Sequence, residues 1–204
     1  MATISKTDTQ TLLALQSLAS NAVVISAAFD VSTKLAGLVG IHFGRRSNTA
    51  LTEGVFLRIE ASMKATGDGF WFPVASFQSQ IAAVTSQAVN GTCNAGQNVV
   101  AMTATAGMNA DPLSAQGHIV YIDNTTIANA EFQRVKVVTT NTSITLEDNL
   151  TNAQTGATVY PGAEMFVAAI DLTAIKRIRF VANADNTGVA VAVEAWIVTG
   201  DSIG

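Results

Sequence analysis

The chain reads as a mainly β protein: an antiparallel β-sandwich, jelly-roll-like, interrupted by an inserted small β-barrel and preceded by a short N-terminal arm or helix. Three observations carry this reading. From Val23 onward apolar residues recur with period two, and β-branched and aromatic side chains that suit a pleated surface carry the pattern. Clusters of turn formers break the runs at short intervals. Between about Ala83 and Met165 the composition shifts, with more Asn, Thr, Gln and Gly and shorter apolar runs.

Taken in order, residues 1–22 form the arm. Leu12, Leu15 and Ala19 share one face at helical spacing, and Thr7, Asp8 and Thr9 are good capping residues. The stretch is a poor secretory signal, because Asp8 precedes the leucines and Gln16 and Ser17 interrupt them. In the next segment Val55, Leu57, Ile59 and Ala61 point to one face of a strand, and Phe56, Arg58, Glu60 and Ser62 to the other. Gly67-Asp68-Gly69 marks a turn before Phe70-Trp71-Phe72-Pro73. Short strands are expected at 99–103, 118–123, 131–139, 143–147 and 157–160, with turns at Asp123-Asn124 and Asp148-Asn149, a number that suits a small barrel. At the end of the chain Val189, Val191, Val193, Ala195 and Ile197 alternate with residues that are apolar too, except Glu194, so this strand lies centrally or in an interface. Asp185-Asn186-Thr187-Gly188 reads as a hairpin into it. Residues 23–82 and 166–204 would make the sandwich and 83–165 the inserted barrel; a single elongated sandwich and two successive domains are the competing arrangements.

Only 13% of the 204 residues are charged and 49% are apolar, against roughly 25% charged in an average domain. This excludes a disordered chain. A net charge of -4 offers no cation excess for a phosphate backbone, so nucleic acid is not an expected partner. No apolar run approaches the about eighteen residues of a membrane-spanning helix, and no membrane partner is expected. Two Trp and two Tyr are too few for the aromatic girdles of an outer-membrane barrel. One cysteine forms no intramolecular disulfide and no cysteine-based zinc site.

No catalytic constellation emerges. His42 and His118 each sit in an alternating strand without a second metal ligand at the right spacing, which points to structural histidines. Cys93 has no neighbouring cation to favour its thiolate. No nucleophile elbow or phosphate-binding loop is present. Glu53, Glu60, Glu131, Glu147, Glu164 and Glu194 are scattered and read as solvated strand faces, while the Asp-Asn pairs read as Asx turns rather than calcium ligands. Four Asn-x-Ser/Thr triplets follow from composition. No catalytic residue, cofactor or metal is therefore expected. Arg45 and Arg46 form the one exposed-looking basic loop and are the candidate partner contacts; Lys176, Arg177 and Arg179 form a second basic cluster on a strand.

The succession Val39-Gly40-Ile41-His42-Phe43-Gly44-Arg45-Arg46, then Glu53-Gly54-Val55 and Trp71-Phe72-Pro73, resembles structural proteins of tailed-bacteriophage virions. Glu131 to Val138 followed by Ile144-Thr145-Leu146-Glu147 and Leu150-Thr151 is similar to small β-barrel modules of virion proteins. The resemblance spans most of residues 23–198 and carries no active site. It implies a non-enzymatic virion subunit, most simply a capsid decoration or cement protein, with neck, tail or fibre components as alternatives. Expected partners are further copies of the chain, as a homotrimer, and the major capsid or other virion proteins. Strands apolar on both faces support association independently, since a monomer would leave them uncovered. The other reading is a glycan- or surface-binding module in which Phe70, Trp71, Tyr121 or Tyr160 stacks on sugar rings.

Overall fold

The computed structural model describes residues 9–67, 70–110 and 119–201; His118, Asp68-Gly69 and the first eight residues lie outside the described residues. Six strands precede the middle segment: β1 (Gln10–Leu18), β2 (Val23–Ile25), β3 (Phe29–Asp30), β4 (Lys34–Arg45), β5 (Phe56–Ser62) and β6 (Phe72–Gln78). The middle holds β7 (Gln87–Ala88), β8 (Thr92–Cys93), β9 (Val99–Ala101), β10 (Ile119–Asp123), β11 (Glu131–Thr139), β12 (Ser143–Leu146), β13 (Gln154–Thr155) and β14 (Thr158–Pro161). Three strands close the chain: β15 (Glu164–Asp171), β16 (Arg177–Asn183) and β17 (Val191–Asp201).

Their pairing is nested. β1 pairs with β17, β2 with β16, β4 with β15 and β5 with β6, all antiparallel. Rolling this stack of pairs over brings β4 beside β17 and β5 beside β16. Two facing sheets result, ordered β1-β17-β4-β15 and β2-β16-β5-β6, with β3 also on β16. This is the jelly roll. Its core is the set of inward positions dictated by period two: Val39, Ile41 and Phe43 of β4, Leu57, Ile59 and Ala61 of β5, Ile178 and Phe180 of β16, and Val191, Val193 and Ile197 of β17. Each of the larger ones contributes about 1.5–3 kcal/mol by leaving water.

β17 lies centrally, between β1 and β4, as its two apolar faces require. Two expectations are corrected. Residues 10–18 form the edge strand β1 instead of a helix: two register shifts, at Thr11/Leu13 and Leu13/Gln16, change the phase of the strand. Leu12 and Leu18, six residues apart and of one parity, enter the core, while Leu15, of the other parity, packs on the opposite side, so the face that helical spacing would give Leu12 and Leu15 is split between the two sides of a strand. The turn at 185–188 is an arch between sheets rather than a hairpin, because β16 and β17 belong to different sheets. The buried Thr187 pins it, its hydroxyl donating to the carbonyls of Ala184 (3.3 Å) and Val189 (2.9 Å).

Of the eight strands between β6 and β15, six form a curled sheet ordered β7-β14-β10-β11-β12-β9, and β8 and β13 pair with each other. A bridge between Val89 and Met102 joins its first and last strands, with Asn90 N–H donating to Ala101 O (2.8 Å) and Thr103 N–H to Ala88 O (3.0 Å). A separate apolar cluster fills it, including Val100, Ile122, Ile144, Leu146, Val159 and the thiol of Cys93. Buried polar groups nearby are fully engaged. Gln154 Nε2 donates to Glu131 Oε1 (2.8 Å), Glu131 Oε2 also accepts from Gln133 Nε2 (2.7 Å) and Thr151 N–H (3.0 Å), and Asn124 Nδ2 donates to Gln154 Oε1 (2.9 Å). Glu131 is therefore a buried strut, not a solvated carboxylate, because the backbone returning at 151–152 supplies its donors.

Candidate functional site

The curled sheet seats on the outer face of β4 and β17. While Val39, Ile41 and Phe43 face the core, Gly40, His42 and Gly44 face outward. Gly44 leaves room for two rings of the inserted sheet: a β-carbon there would lie 2.7 Å from Tyr121 Cβ and 2.9 Å from Phe132 Cε1. His42 packs against Phe132 (centroids 4.8 Å apart) and Trp196 (4.6 Å), with Nδ1 2.8 Å from Glu194 Oε1. Tyr121, Ala130, Ala163 and Ala192 close the contact as a third apolar cluster, joined by Leu15. The histidine is a structural part of this seam.

Arg45 and Arg46 lie at the same junction, and the expected exposed loop is corrected. Arg45 ends β4 and is 2% exposed. It continues the inward parity of Val39, Ile41 and Phe43, a signal the sequence already held. Its Nη2 donates to Gln80 O (2.6 Å), and Nη1 has no hydrogen-bond partner. Burial pushes its pKa down, opposed by the Glu164 charge. Glu164 accepts from Gln80 N–H (3.0 Å), so the chain leaving the sandwich is gripped at both backbone atoms of Gln80. Burial raises the Glu164 pKa above its usual range, against the Gln80 bond and the Arg45 charge.

Arg46 spans the seam. Its Nε lies 3.1 and 3.0 Å from the two carboxylate oxygens of Asp123, and its Nη2 3.0 Å from Oδ1. Burial opposes the charge on Arg46, but the Asp123 hydrogen bond and charge outweigh it and raise the pKa. Tyr121 OH donates to Asp123 Oδ1 (3.2 Å) and Tyr160 OH to Arg46 O (3.2 Å). Burial first, and the Asp123 charge second, push both phenols up in pKa, keeping them as donors at neutral pH.

The remaining chemistry-bearing residues are held apart. Glu60 binds Arg179, Glu194 His42, Glu147 Arg134 and Glu53 Asn186. Glu60 is buried rather than solvated, because the long side chains around it cover its strand face. Among the described residues no group of three or more His, Cys, Asp and Glu is placed to hold a metal ion.

Both sheets of the sandwich leave apolar side chains on their outer faces. On one, Leu38, Met165 and Val167 are exposed on adjoining strands, with Leu38 paired to Ala169 and Val167 to Gly40. On the other, Val23, Ile25 and Phe56 are exposed. Scattered exposed apolar residues are ordinary, whereas contiguous ones on a sheet face mark contact surfaces.

No protein-family model matches the chain, and no curated protein matches it. Among solved structures it is similar to VP17, a capsid protein of bacteriophage P23-77, over 98% of this chain and 100% of that one, at 11% identity and a TM-score of 0.21. The infectious bursal disease virus Gx strain structure aligns over 98% of this chain at 13% identity and a TM-score of 0.28. The VP2 subviral particle of that virus aligns over 98% at 13% identity and 0.23. This chain spans 41% and 42% of the length of those two bursal disease virus chains. These structural neighbours are viral proteins, similar to this chain only at the level of a weak alignment.

Proposed function

We propose that the chain is a non-enzymatic structural subunit of a tailed-phage virion, acting as a capsid decoration or cement protein through contacts among its own copies, as a trimer, and with the shell. The observation that carries the proposal is a sandwich whose interior is filled by its own side chains while apolar residues remain on the outer faces of both sheets. Jelly rolls serve in viral capsids, lectins and cupins, so topology alone does not select a role. A filled interior leaves outer surfaces as the working parts, and surfaces with exposed apolar residues act by burial against a neighbour. In this reading residues 83–165 are an inserted unit carried by the sandwich of 23–82 and 166–204, and the seam around Gly44 and Arg46 fixes its orientation.

The test is immunogold labelling of intact particles from the source culture with antibody raised against the purified chain. Gold spread over the shell supports the decoration reading. Gold at one vertex or along the tail moves the chain to a neck, tail or fibre component. Particles free of gold, with disrupted particles equally free, overturn the virion reading.

A further inference from the structure

Five of the eleven Lys and Arg residues, Arg58, Lys64, Lys176, Arg177 and Arg179, lie on or beside one sheet, β2-β16-β5-β6, although the chain as a whole is net negative. The register sets its outer face out in rows. Val23, Asn183 and Phe56 form the first row and Ile25, Val181 and Arg58 the second; Arg179 beside Glu60 and then Arg177 beside Ser62 follow. Six residues of strand separate the apolar end from the cationic end, roughly 20 Å. Only Glu60, and Asp30 at the edge opposite Arg177, supply carboxylates within this set of described residues.

The cations are seated on rings. Arg179 lies 4.3 Å and Arg177 5.0 Å from the centroid of Trp71, and Lys64 lies 3.9 Å from that of Phe70. Such stacking fixes the direction of a guanidinium. Arg179 Nε and Nη2 meet Glu60 Oε2 (2.8 and 2.7 Å), Arg58 Nη2 lies 3.6 Å from Glu60 Oε1, and Arg177 Nε and Nη2 donate to the Lys64 and Gly67 carbonyls, so a single carboxylate serves two of the three arginines. Among the described residues three buried side-chain nitrogens lack a hydrogen-bond partner, and two of them, the donors Arg58 Nε and Trp71 Nε1, belong to this face.

We infer that this face docks an acidic segment of a partner protein, its carboxylates against Arg58, Arg177 and Arg179 and its apolar side chains against Val23, Ile25 and Phe56. Charge complementarity identifies the acidic half of the partner, and the exposed apolar row calls for side chains rather than a sugar or phosphate polymer. Two guanidinium groups over the Trp71 ring cover a surface a saccharide would stack on, which disfavours the sugar-stacking reading of that residue. The inference stands on this sheet alone and does not depend on a role in a particle.

The test uses the intact 15N-labelled chain titrated with poly-L-glutamate, with hyaluronan and duplex DNA as parallel titrants. The chain has two tryptophans, Trp71 just before β6 and Trp196 on β17 of the other sheet, so the Trp71 indole N–H reports this face and Trp196 is the internal control. Expected are movement of the Trp71 resonance with Trp196 unmoved, and weakening of binding as salt shortens the screening length. R58A and K64A should each lower affinity, by up to about fivefold for one partly exposed charge. R134A, on the inserted sheet, should leave it unchanged. K64A keeps the test open if R58A does not fold. Absence of movement, equal movement of Trp196, an equal loss in R134A, or tighter binding of hyaluronan or DNA would overturn the inference.

Discussion

At Gly44 a missing β-carbon decides how closely the inserted sheet sits on the sandwich. Alanine there would place a methyl group 2.7 Å from Tyr121 Cβ and 2.8 Å from its Cγ, inside any ordinary contact, and neither atom is the free end of a flexible chain. G44A is expected to cost about 1–3 kcal/mol, the range for overpacking a close contact. A urea midpoint equal to that of the parent chain would show that the two sheets are not pressed together here. Neighbouring Arg45 teaches a different lesson. Its charge suggested a loop, whereas its parity with Phe43 places it on the inner face, and parity prevailed because the register of β4 on β17 is unbroken from Ala36 to Arg45. Glu60 and Glu131 were likewise misjudged by charge alone. Their donors, Arg179 and the Thr151 backbone, lie 119 and 20 residues away, and nothing local announces them.

At the scale of elements, β4, β15 and the chain leaving β6 meet in the clasp formed by Arg45, Gln80 and Glu164. Glu164 has a folded-state pKa raised above its ordinary 4.5. The folded chain therefore holds a proton that the unfolded chain has released, and stability from this group is fully present below pH 4.5 and lost as pH rises through the folded value. E164Q removes that loss. Across roughly pH 4 to pH 7, the stability of E164Q relative to the parent should rise with pH, as read by urea unfolding at each pH. This window avoids Asp30 and Asp171, whose pKa values are held below their ordinary 3.8 by hydrogen bonds from Ser32 and Thr173, so that their contribution is lost only at lower pH. A difference that stays flat with pH would mean Glu164 is solvated in the folded chain. Most strands were legible because alternation is a local property: Leu57, Ile59 and Ala61 announced β5, and the segments at β11 and β12 fell within a residue of expectation. β1 was not, since leucines at 12, 15 and 18 match helical spacing as well as they match a strand with Leu12 and Leu18 on one side and Leu15 on the other.

At the scale of the molecule, the sequence indicated a sandwich but not which strands cross between its sheets. Asp185 to Gly188 can reverse a chain into a hairpin or an arch, and only the nesting of β1 on β17 and β2 on β16 selects the arch. The seam was also illegible, because Gly44, His42, Tyr121 and Phe132 are ordinary residues until register brings them together. The same nesting leaves Leu38, Met165 and Val167 exposed on one outer face, beyond the part that the curled sheet covers, and Val23, Ile25 and Phe56 on the other. Oligomers and lattices cover such faces. The central claim, that the chain is a structural subunit of a virion, is tested most directly by quantitative peptide mass spectrometry of density-purified particles from the source culture. A virion subunit co-purifies with particles at a fixed ratio to the major shell protein, in hundreds of copies for a decoration subunit; absence of the chain from purified particles would show that it is not one.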